Sequence, residues 1–267
     1  MLNPKVSIIT VVYNGAEYIE QTIQSVINQS YKNLEYIIID GGSTDGTQNI
    51  IKKYEQNIAY WVSEKDAGMY HAMNKGWQKA TGDIIGVLNA DDYYLDEAIS
   101  KVVAAFENQN AAIVFGGMTK LRRIGEKNFF KEVSPNLSMM EQTMGIFHPS
   151  TFVLRNVYVE LGGYNEKYKL SSDYDFLLRA YKKGFQFSEI TVSLAVFRIG
   201  GVSNVNCDSF KEGYQILLEN NSIYAPQMKK AVFRCYFKRG YKRIIHFLVN
   251  IFGLQNKLNR RLEKKWG

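Results

Sequence analysis

The stretch YIIIDGGSTDG, residues 36–46, decides the fold of this chain. Four apolar residues run without interruption into Asp40, and two glycines and a serine follow it. An unbroken apolar run of this kind is typical of a strand that is buried on both faces of a parallel sheet. The glycines then mark a tight turn. The segment therefore predicts a buried parallel strand that carries a carboxylate at its carboxyl end.

The same pattern is found before and after this segment. Val6 to Val12 is β-branched and uninterrupted, and Ile84 to Leu88 leads directly into the sequence Asn-Ala-Asp-Asp at residues 89–92. Apolar residues at helical spacing lie between the strands. They predict helices at about residues 17–27, 44–54, 69–80 and 95–106. This alternation predicts an α/β fold with a mostly parallel, twisted sheet flanked by helices.

The second half of the chain has a different character. Residues 118–133 mix charged residues with β-formers and predict a hairpin, while residues 185–198 predict a final pair of strands. Between them, Asp173 to Lys183 predicts a helix whose first turn carries two aspartates, which suits the positive end of the helix dipole. The chain is helical in pattern and increasingly basic beyond residue 206.

Three acidic clusters occur in the chain, one after each of two predicted strands and one in the first turn of the helix that begins at Asp173. Ligands of open α/β sheets bind at the carboxyl ends of the strands, where Asp40 and the Asp91-Asp92 pair are expected. Carboxylates gathered there repel one another unless a cation lies among them. The pattern predicts a metal-assisted site for a phosphorylated ligand. In the competing interpretation, Asp40 and Asp45 only shape their turn, and Asp92 caps the next helix.

The composition and the distribution of charge limit the compartments and partners expected for this chain. The 267 residues carry a net charge of +7, but residues 227–267 hold twelve Lys or Arg and one acid. That segment is therefore +11, and the first 226 residues carry 7 − 11 = −4. The first residues do not have the pattern of a signal peptide, and no apolar run in the sequence predicts a spanning helix. Two cysteines are too few for a disulfide framework and favour a reducing compartment.

The basic segment predicts a second unit. We expect one domain over residues 1–205 and a basic amphipathic helical extension over residues 206–267. Lysines and arginines alternate there with aromatic and aliphatic residues, and IIHFLVNIFGL at residues 244–254 is about half of a spanning helix. This predicts binding to an anionic membrane surface, or else a helical pair packed on the body. No nucleic-acid recognition motif accompanies the charge, so nucleic acid is not an expected partner.

Four blocks resemble a known family in their order and spacing. VSIITVVYN, YIIIDGGSTDGT, AMNKGWQKATGDIIGVLNADD, and LGGYN with SSDYDFLLRAYKKG resemble family 2 glycosyltransferases of the GT-A fold, over residues 5–200. The resemblance implies inverting transfer of a sugar from a nucleotide-diphosphate donor, most commonly a UDP-sugar, with Mg²⁺ or Mn²⁺. SEKDAGMYHAMNKG is similar to the subgroup found in bacterial surface-polysaccharide assembly, such as O-antigen or capsule. That implies a polyprenyl-diphosphate-linked glycan acceptor at the cytoplasmic face of the membrane.

The resemblance also implies roles for individual residues. Asp173 would be the general base that takes the proton of the acceptor hydroxyl. Asp91 would be the metal ligand. His148 lies in the irregular stretch between the metal and base segments, and this position makes it a second candidate metal ligand or a diphosphate contact, although a lone histidine there is also compatible with a structural role. The implied donor-binding residues are Thr10, Val12, Tyr13, Asn14, Asp40, Asp66, Asn74, Lys75, Asn89, Ala90 and Asp91.

The chain departs from the common family pattern at three positions. Asn89 stands where the first aspartate of the DxD motif is usual, Gly41 replaces a second acid, and Ser172 replaces the glutamate before the base. Asp66 could instead cap the following helix. Three arginines are candidates for phosphate contacts, with a structural role expected for the second: Arg155, Arg179 and Arg198.

Two other functions compete with sugar transfer. Sugar nucleotidyltransferases carry a Gly-rich, Arg-containing loop after the first strand, and VVYNGAEY lacks one. A non-catalytic nucleotide-sugar-binding or assembly protein is the alternative. The presence of both Asp91 and Asp173 counts against it.

Overall fold

The computed structural model of the chain describes residues 3–200, 207–251, 262 and 266. For residues 239–251 it describes the backbone alone. The predicted boundary between residues 205 and 206 falls outside the described residues. The predicted apolar segment IIHFLVNIFGL also falls largely outside them, because its side chains are not described and its last three residues are not described at all. Among the described residues, no helix is long and apolar enough to cross a membrane.

The elements alternate through the first half of the chain, as the sequence predicts. The helices are α1 Ile19–Ile27, α2 Thr47–Lys53, α3 Met69–Lys79, α4 Ala98–Asn108, α5 Arg155–Leu161, α6 Ser172–Lys182, α7 Asp208–Glu219 and α8 Ala225–Ile251. The strands are β1 Val6–Val12, β2 Leu34–Asp40, β3 Tyr60–Ser63, β4 Ile84–Asn89, β5 Tyr93–Tyr94, β6 Ile113–Ile124, β7 Lys127–Val133, β8 Thr151–Leu154 and β9 Phe187–Arg198.

The nine strands found among the described residues form one sheet. Its order is β3-β2-β1-β4-β8-β6-β9-β5, and β7 pairs with β6 outside this path. The four strands β3, β2, β1 and β4 are parallel, whereas β8 pairs antiparallel with both β4 and β6. The α/β class is confirmed, and its parallel half is the half that ends in the predicted acidic turns.

Both faces of the parallel half are covered, which explains its uninterrupted apolar strands. On β1, Ile9 and Val11 belong to one buried cluster, together with residues of α3 and α6. Ile8 and Val12 belong to a second cluster that includes residues of α1 and α4. Side chains alternate between the faces of a strand, so a strand covered on both sides must be apolar at nearly every position.

The second half differs from the sequence prediction in two ways. The hairpin of β6 and β7 is confirmed. Residues 187–198 form a single strand, so the predicted strand pair is wrong; the pairing register shifts opposite Gly116 and Gly117. Such an irregularity bends a strand and looks in sequence like a break between two strands. The short elements β8 and α5 were not predicted, because their four and seven residues are too few to give a clear period.

The basic extension begins as part of the body. Ile216 and Leu217 of α7 are fully buried, and they share a cluster with Met228 of α8 and with core residues of α6. Cys207 and Cys235 form a disulfide that joins the start of α7 to α8. The argument for a reducing compartment, which rested on the small number of cysteines, therefore loses its basis. Among the described residues of α8, Phe233 is the first large hydrophobic side chain that is exposed.

Candidate active site

The carboxyl ends of the parallel strands lie side by side. Val12 at the end of β1 pairs with Asp40 at the end of β2, and Asp40 in turn pairs with Ser63 of β3. On the other side, Val11 pairs with Asn89, the last residue of β4. The predicted nucleotide and metal segments are thus brought to one edge of the sheet, where ligands of open α/β folds bind.

Asp40 organises the turn after β2. It is fully buried, and its Oδ2 accepts hydrogen bonds from the Ser43 backbone N–H at 3.0 Å and from Ser63 Oγ at 2.5 Å. The Ser43 hydroxyl donates a hydrogen bond to the other carboxylate oxygen of Asp40, Oδ1. The carboxylate therefore ties the ends of β2 and β3 together. Asp45 accepts hydrogen bonds from Thr47 and from Ala16, which agrees with a purely turn-shaping role for Asp45.

The loop after β1 is locked to the same turn. The Asn14 backbone N–H donates to Ser43 Oγ at 2.7 Å, and Asn14 Oδ1 accepts the Thr44 N–H at 2.9 Å. Asn14 has a positive φ of 50°, a conformation that asparagine tolerates better than most residues. Tyr13 is 69% exposed and lies against Gly41, where an added Cβ would be 3.5 Å from the Tyr13 Cβ. The arrangement leaves an exposed aromatic ring beside a glycine turn.

Two further residues predicted for this segment are buried. Thr10 accepts a hydrogen bond from Tyr36 Oη at 3.1 Å, and the Val12 carbonyl accepts the Gly41 N–H at 2.8 Å. The side chains of Thr10 and Val12 therefore belong to the sheet. Any ligand would meet the backbone that follows them.

The loop after β4 holds two carboxylates, of which Asp92 is fully buried and Asp91 is partly buried. Burial raises the pKa of Asp91, and the charge of Arg198 offsets this only in part. Burial and then the charge of Asp91 raise the pKa of Asp92 well above its usual value. Thr22 of α1 fixes the loop, with its Oγ1 at 2.8 Å from the Ala90 carbonyl oxygen and 2.6 Å from that of Asp92. Nothing in the sequence marked Thr22.

Asp92 does not cap a helix. The residue at the capping position before α4 is Glu97. Asp92 Oδ1 instead accepts a hydrogen bond from the backbone N–H of Arg198, at 3.0 Å. The capping interpretation of Asp92 is therefore wrong, and its carboxylate holds the end of β9 against the loop after β4. The Arg198 guanidinium then lies over the Tyr18 ring, 4.4 Å from its centroid, and bonds Gln21. Of the three arginines considered from sequence, Arg198 is the one beside Asp91.

The other two arginines are structural. Arg179 Nε donates to Asp175 Oδ2 at 2.8 Å, and its other nitrogens bond the carbonyls of Leu161 and Gly163. Arg155 Nε bonds the Ala80 carbonyl, close to the amino end of β4 and away from the acidic loop.

Asp66, Lys75 and His71 form a compact cluster. Lys75 Nζ lies 2.6 Å from Asp66 Oδ1, and His71 Nδ1 lies 2.9 Å from the same oxygen. Asp66 Oδ2 is buried and has no hydrogen-bond partner among the described residues. No side chain caps α3, which begins after Gly68, so the capping interpretation of Asp66 is wrong.

Asn74 has a role that was not predicted. Its amide donates to the Tyr164 carbonyl and to Glu166, and its Oδ1 accepts the Tyr164 backbone N–H and the Trp77 indole N–H. Every hydrogen-bonding position of the amide is therefore engaged in holding the loop at residues 163–166 against α3.

Asp173 lies in the first turn of α6, at the wall of a cavity. Its Oδ1 accepts hydrogen bonds from Tyr70 Oη at 2.8 Å and from the Tyr174 backbone N–H at 2.9 Å. The cavity is also lined by Val87, which is two residues before Asn89 on β4. Asp173 therefore lies close to the strand end that carries Asp91.

His148 lines the same cavity. Its Nε2 lies 3.3 Å from Tyr164 Oη, which in turn lies 2.9 Å from Tyr158 Oη. Burial lowers the pKa of His148, and the charge of Asp173 opposes that only in part. The imidazole is therefore neutral at neutral pH.

The loop after β4 fits a divalent cation. Asn89 Oδ1 is buried and accepts no hydrogen bond from the described residues, and Asp91 forms no ion pair with any of those residues. Amide and carboxylate oxygens are ligands that Mg²⁺ and Mn²⁺ accept, with substrate phosphates completing the shell. No group of three His, Cys, Asp or Glu in the described part of the chain could hold a metal. His148 therefore does not complete such a group with Asp91 and Asp92.

Comparison with known proteins identifies the family of this chain. Residues 7–159, more than half of the chain, match the family described as "Glycosyl transferase family 2". The chain belongs to that family. It is a glycosyltransferase.

Two curated relatives of this glycosyltransferase show how far the similarity extends. An uncharacterised glycosyltransferase of Mycobacterium tuberculosis is 30% identical over 180 residues, 66% of this chain and 69% of the relative. A putative teichuronic acid biosynthesis glycosyltransferase of Bacillus subtilis, TuaG, is 34% identical over 125 residues, 46% of this chain and 50% of the relative.

Two solved structures share the fold. Residues 1–349 of Staphylococcus aureus TarS, in complex with UDP-GlcNAc, give a TM-score of 0.64 at 17% identity and cover 79% of this glycosyltransferase, which spans 65% of that chain. A Pyrobaculum calidifontis mannosyltransferase in complex with GDP-Man and Mn²⁺ gives 0.61 at 16% identity, over 97% of this chain and 83% of that one. The GT-A expectation for the fold is confirmed.

Proposed function

We propose that this glycosyltransferase moves a sugar, with inversion, from a UDP-sugar to a hydroxyl of a polyprenyl-diphosphate-linked glycan. The reaction requires Mg²⁺ or Mn²⁺ and serves the assembly of a surface polysaccharide such as an O-antigen or capsule. One observation carries the proposal: the cavity of Asp173 reaches Val87, so the base and the Asp91 loop lie at the same strand end. The TuaG relative supports the polysaccharide role.

The donor lies across the ends of β1, β2 and β4. The complexes of the two solved neighbours with UDP-GlcNAc and GDP-Man support a nucleotide-sugar ligand for this chain as well. The exposed Tyr13 ring offers a stacking surface for the base, and the backbone around Asn14 offers polar groups. Asp40 keeps the turn in shape. Lys75 of α3, paired with Asp66 in the loop between β3 and α3, provides a cation for the donor.

Asp91, beside Asn89, would hold the divalent cation. When bound, that cation supplies positive charge to the departing diphosphate. The Arg198 guanidinium adds a fixed positive charge next to the same carboxylates. Both arrangements stabilise charge that develops in the transition state.

Asp173 does the proton chemistry. Its carboxylate removes the proton of the acceptor hydroxyl while that oxygen forms a bond to the anomeric carbon. The bond from that carbon to the diphosphate oxygen breaks on the opposite face, so the configuration inverts. The proton stays on Asp173, and the nucleoside diphosphate leaves with the bonding electrons.

The acceptor is delivered at a membrane surface. On α8, Phe233 and Phe237 are 73% and 72% exposed. Four cations share that part of the helix: Lys229, Lys230, Arg234 and Lys238. Exposed aromatic rings among cations favour an anionic bilayer. Residues 227–267 would hold the protein on the cytoplasmic face, where a polyprenyl-linked acceptor is accessible.

A donor screen tests the proposal. The purified full chain would be assayed for release of nucleoside diphosphate from a panel of nucleotide sugars, with Mn²⁺ or Mg²⁺ and lipid-linked acceptors. We expect release with one donor, and its loss in EDTA. Asp173→Asn should bind that donor in calorimetry with unchanged affinity yet lose at least a thousandfold in turnover. Asp96→Asn, at an exposed aspartate, is the matched control and should behave as wild type.

The same experiment identifies the non-catalytic alternative. Donor binding without transfer to any acceptor would favour a nucleotide-sugar-binding protein. Near-normal turnover of Asp173→Asn would overturn the assignment of the base, and metal-independent transfer would overturn the role of Asp91.

A further inference from the structure

One oxygen of Asp173 is fully engaged and the other is open. Oδ1 accepts the Tyr70 hydroxyl at 2.8 Å and the Tyr174 backbone N–H at 2.9 Å. No described residue donates to Oδ2. Two donors on one oxygen fix the rotation of the carboxylate and leave the second oxygen available to accept a proton.

Tyr70 is itself held rigidly. It is the second residue of α3, is 3% exposed, and its ring centroid lies 5.6 Å from that of Tyr164. Burial raises the pKa of Tyr70 well above 10, and the charge of Asp173 raises it further. The phenol therefore keeps its proton at every physiological pH and acts as a permanent donor.

We infer that Tyr70 is the positioning residue of the catalytic base, an inference that rests on the proposed function because it takes Asp173 as that base. Tyr70 directs Oδ2 toward the acceptor hydroxyl and stabilises the charged form of the carboxylate, since hydrogen bonds to an ionised group are the strong ones. Tyr70 shares α3 with Lys75, the ion-pair partner of Asp66 in the loop before that helix, so the base is tied to the helix that carries Lys75. Binding of the donor and orientation of the base thus depend on one helix.

The groups around Asp173 decide how the inference can be tested. His148 is neutral because burial lowers its pKa, and burial keeps the phenols of Tyr158 and Tyr164 protonated. Glu212 of α7 is the other acid whose charge reaches Tyr70, and it accepts the backbone N–H groups of Lys169 and Leu170. Three carboxylates can therefore contribute to an acid limb in the pH profile, Asp173, Glu212 and the proposed metal ligand Asp91, and of these only Asp173 bonds Tyr70.

The first experiment is the pH dependence of kcat for Tyr70→Phe. Loss of the donor makes the carboxylate take up a proton more readily, so the acid limb should move to higher pH by roughly one unit. On that limb kcat should fall about tenfold, with the donor KM unchanged within about twofold. Tyr158→Phe is the matched control. It removes an equally buried hydroxyl of the same cavity that bonds Tyr164 and forms no hydrogen bond with Asp173, so its acid limb should stay in place.

The second experiment does not need turnover. The protein would be labelled with ¹³C at the aspartate carboxyl carbons, and the Asp173 signal, assigned by its absence in Asp173→Asn, would be titrated. We expect its midpoint to move upward in Tyr70→Phe, to stay in Tyr158→Phe, and to remain distinct from any titration of Glu212. An unchanged midpoint in Tyr70→Phe, or an equal change in Tyr158→Phe, would overturn the inference.

The two results separate this inference from the proposed function. If the wild type transfers sugar and Asp173→Asn does not, an unmoved midpoint in Tyr70→Phe removes only the positioning role. If no donor is turned over, the proposed function fails, and a moved midpoint still supports the contact of Tyr70 with the carboxylate.

Discussion

Lys75 forms an ion pair with Asp66, whose carboxylate is almost completely buried. Lys75 Nζ lies 2.6 Å from Asp66 Oδ1, and 6% of the Asp66 side chain is exposed. The same ammonium also pairs with Glu64. Burial lowers the pKa of Lys75, but its hydrogen bonds with Asp66 and Glu64 outweigh that and raise it. Lys75 therefore stays charged at neutral pH, and the Asp66 carboxylate depends on it.

Lys75→Met should weaken both the fold and the donor complex. Removing the cation leaves a buried carboxylate without its main partner, which costs about 3 kcal/mol in the free energy of unfolding. We expect the Kd of the donor to rise at least tenfold. Lys79→Met is the control, because Lys79 is exposed at the end of the same helix and its Nζ lies 5.3 Å from the Tyr60 ring centroid. Urea unfolding and calorimetry measure the two effects, and wild-type unfolding of Lys75→Met would contradict the argument.

The strands that end at the site could be predicted from the sequence because their signal is local. In β1, β2 and β4 nearly every residue is apolar, and each strand stops at a polar residue or a turn. Strand direction then brings Asp40 and Asn89 to one edge without any knowledge of long-range contacts. The acidic first turn of α6 was also visible, because both aspartates lie next to a helical pattern.

The contacts that define the site could not be predicted, because they join residues far apart in the chain. Asp92 meets the backbone of Arg198 across 106 residues, and Tyr70 meets Asp173 across 103. Asp92 resembles a helix cap and Tyr70 resembles a core aromatic when each is considered with its sequence neighbours alone. The pairing of Cys207 with Cys235 was missed for the same reason, since it depends on how α7 and α8 meet.

Glu35 should make stability depend on pH without affecting the site. This residue of β2 accepts hydrogen bonds from Lys5 Nζ at 2.7 Å, Ser7 Oγ at 2.6 Å and the Thr81 N–H at 2.7 Å. Burial alone would raise the pKa of Glu35, but these bonds, with one more from the Thr81 hydroxyl, lower it to about 2. A lowered pKa means that the stabilisation is complete above pH 4.5 and is lost as the pH falls toward 2.

Glu35→Gln should therefore lower the free energy of unfolding by about 2 kcal/mol at pH 7, and the difference from wild type should shrink between pH 4.5 and 2. Urea unfolding at several pH values measures it. Glu126→Gln, at the exposed β6–β7 turn, is the control and should give no difference. A constant gap between Glu35→Gln and wild type down to pH 2 would contradict the assignment.

The disulfide should stabilise the junction of α7 and α8. Cys207 and Cys235 are 28 residues apart, and closing a loop of that length contributes about 3–4 kcal/mol if the effect is mainly on the unfolded chain. Cys235→Ser should lower the temperature of unfolding and speed proteolysis between the two helices. Dithiothreitol should do the same to wild type and nothing further to the variant. Equal protease resistance of the reduced and oxidised wild type would show that packing alone holds the helices.

Membrane binding should depend on the two exposed aromatic rings of α8. Phe233 and Phe237 together should contribute a few kcal/mol when they are buried in a bilayer interface. The double variant Phe233→Ser, Phe237→Ser should bind vesicles with anionic headgroups at least tenfold more weakly, and added salt should weaken wild-type binding further. Phe130→Ser is the control, since Phe130 is 55% exposed on β7. Vesicle sedimentation measures binding, and an undiminished affinity of the folded double variant would exclude this face as the membrane contact.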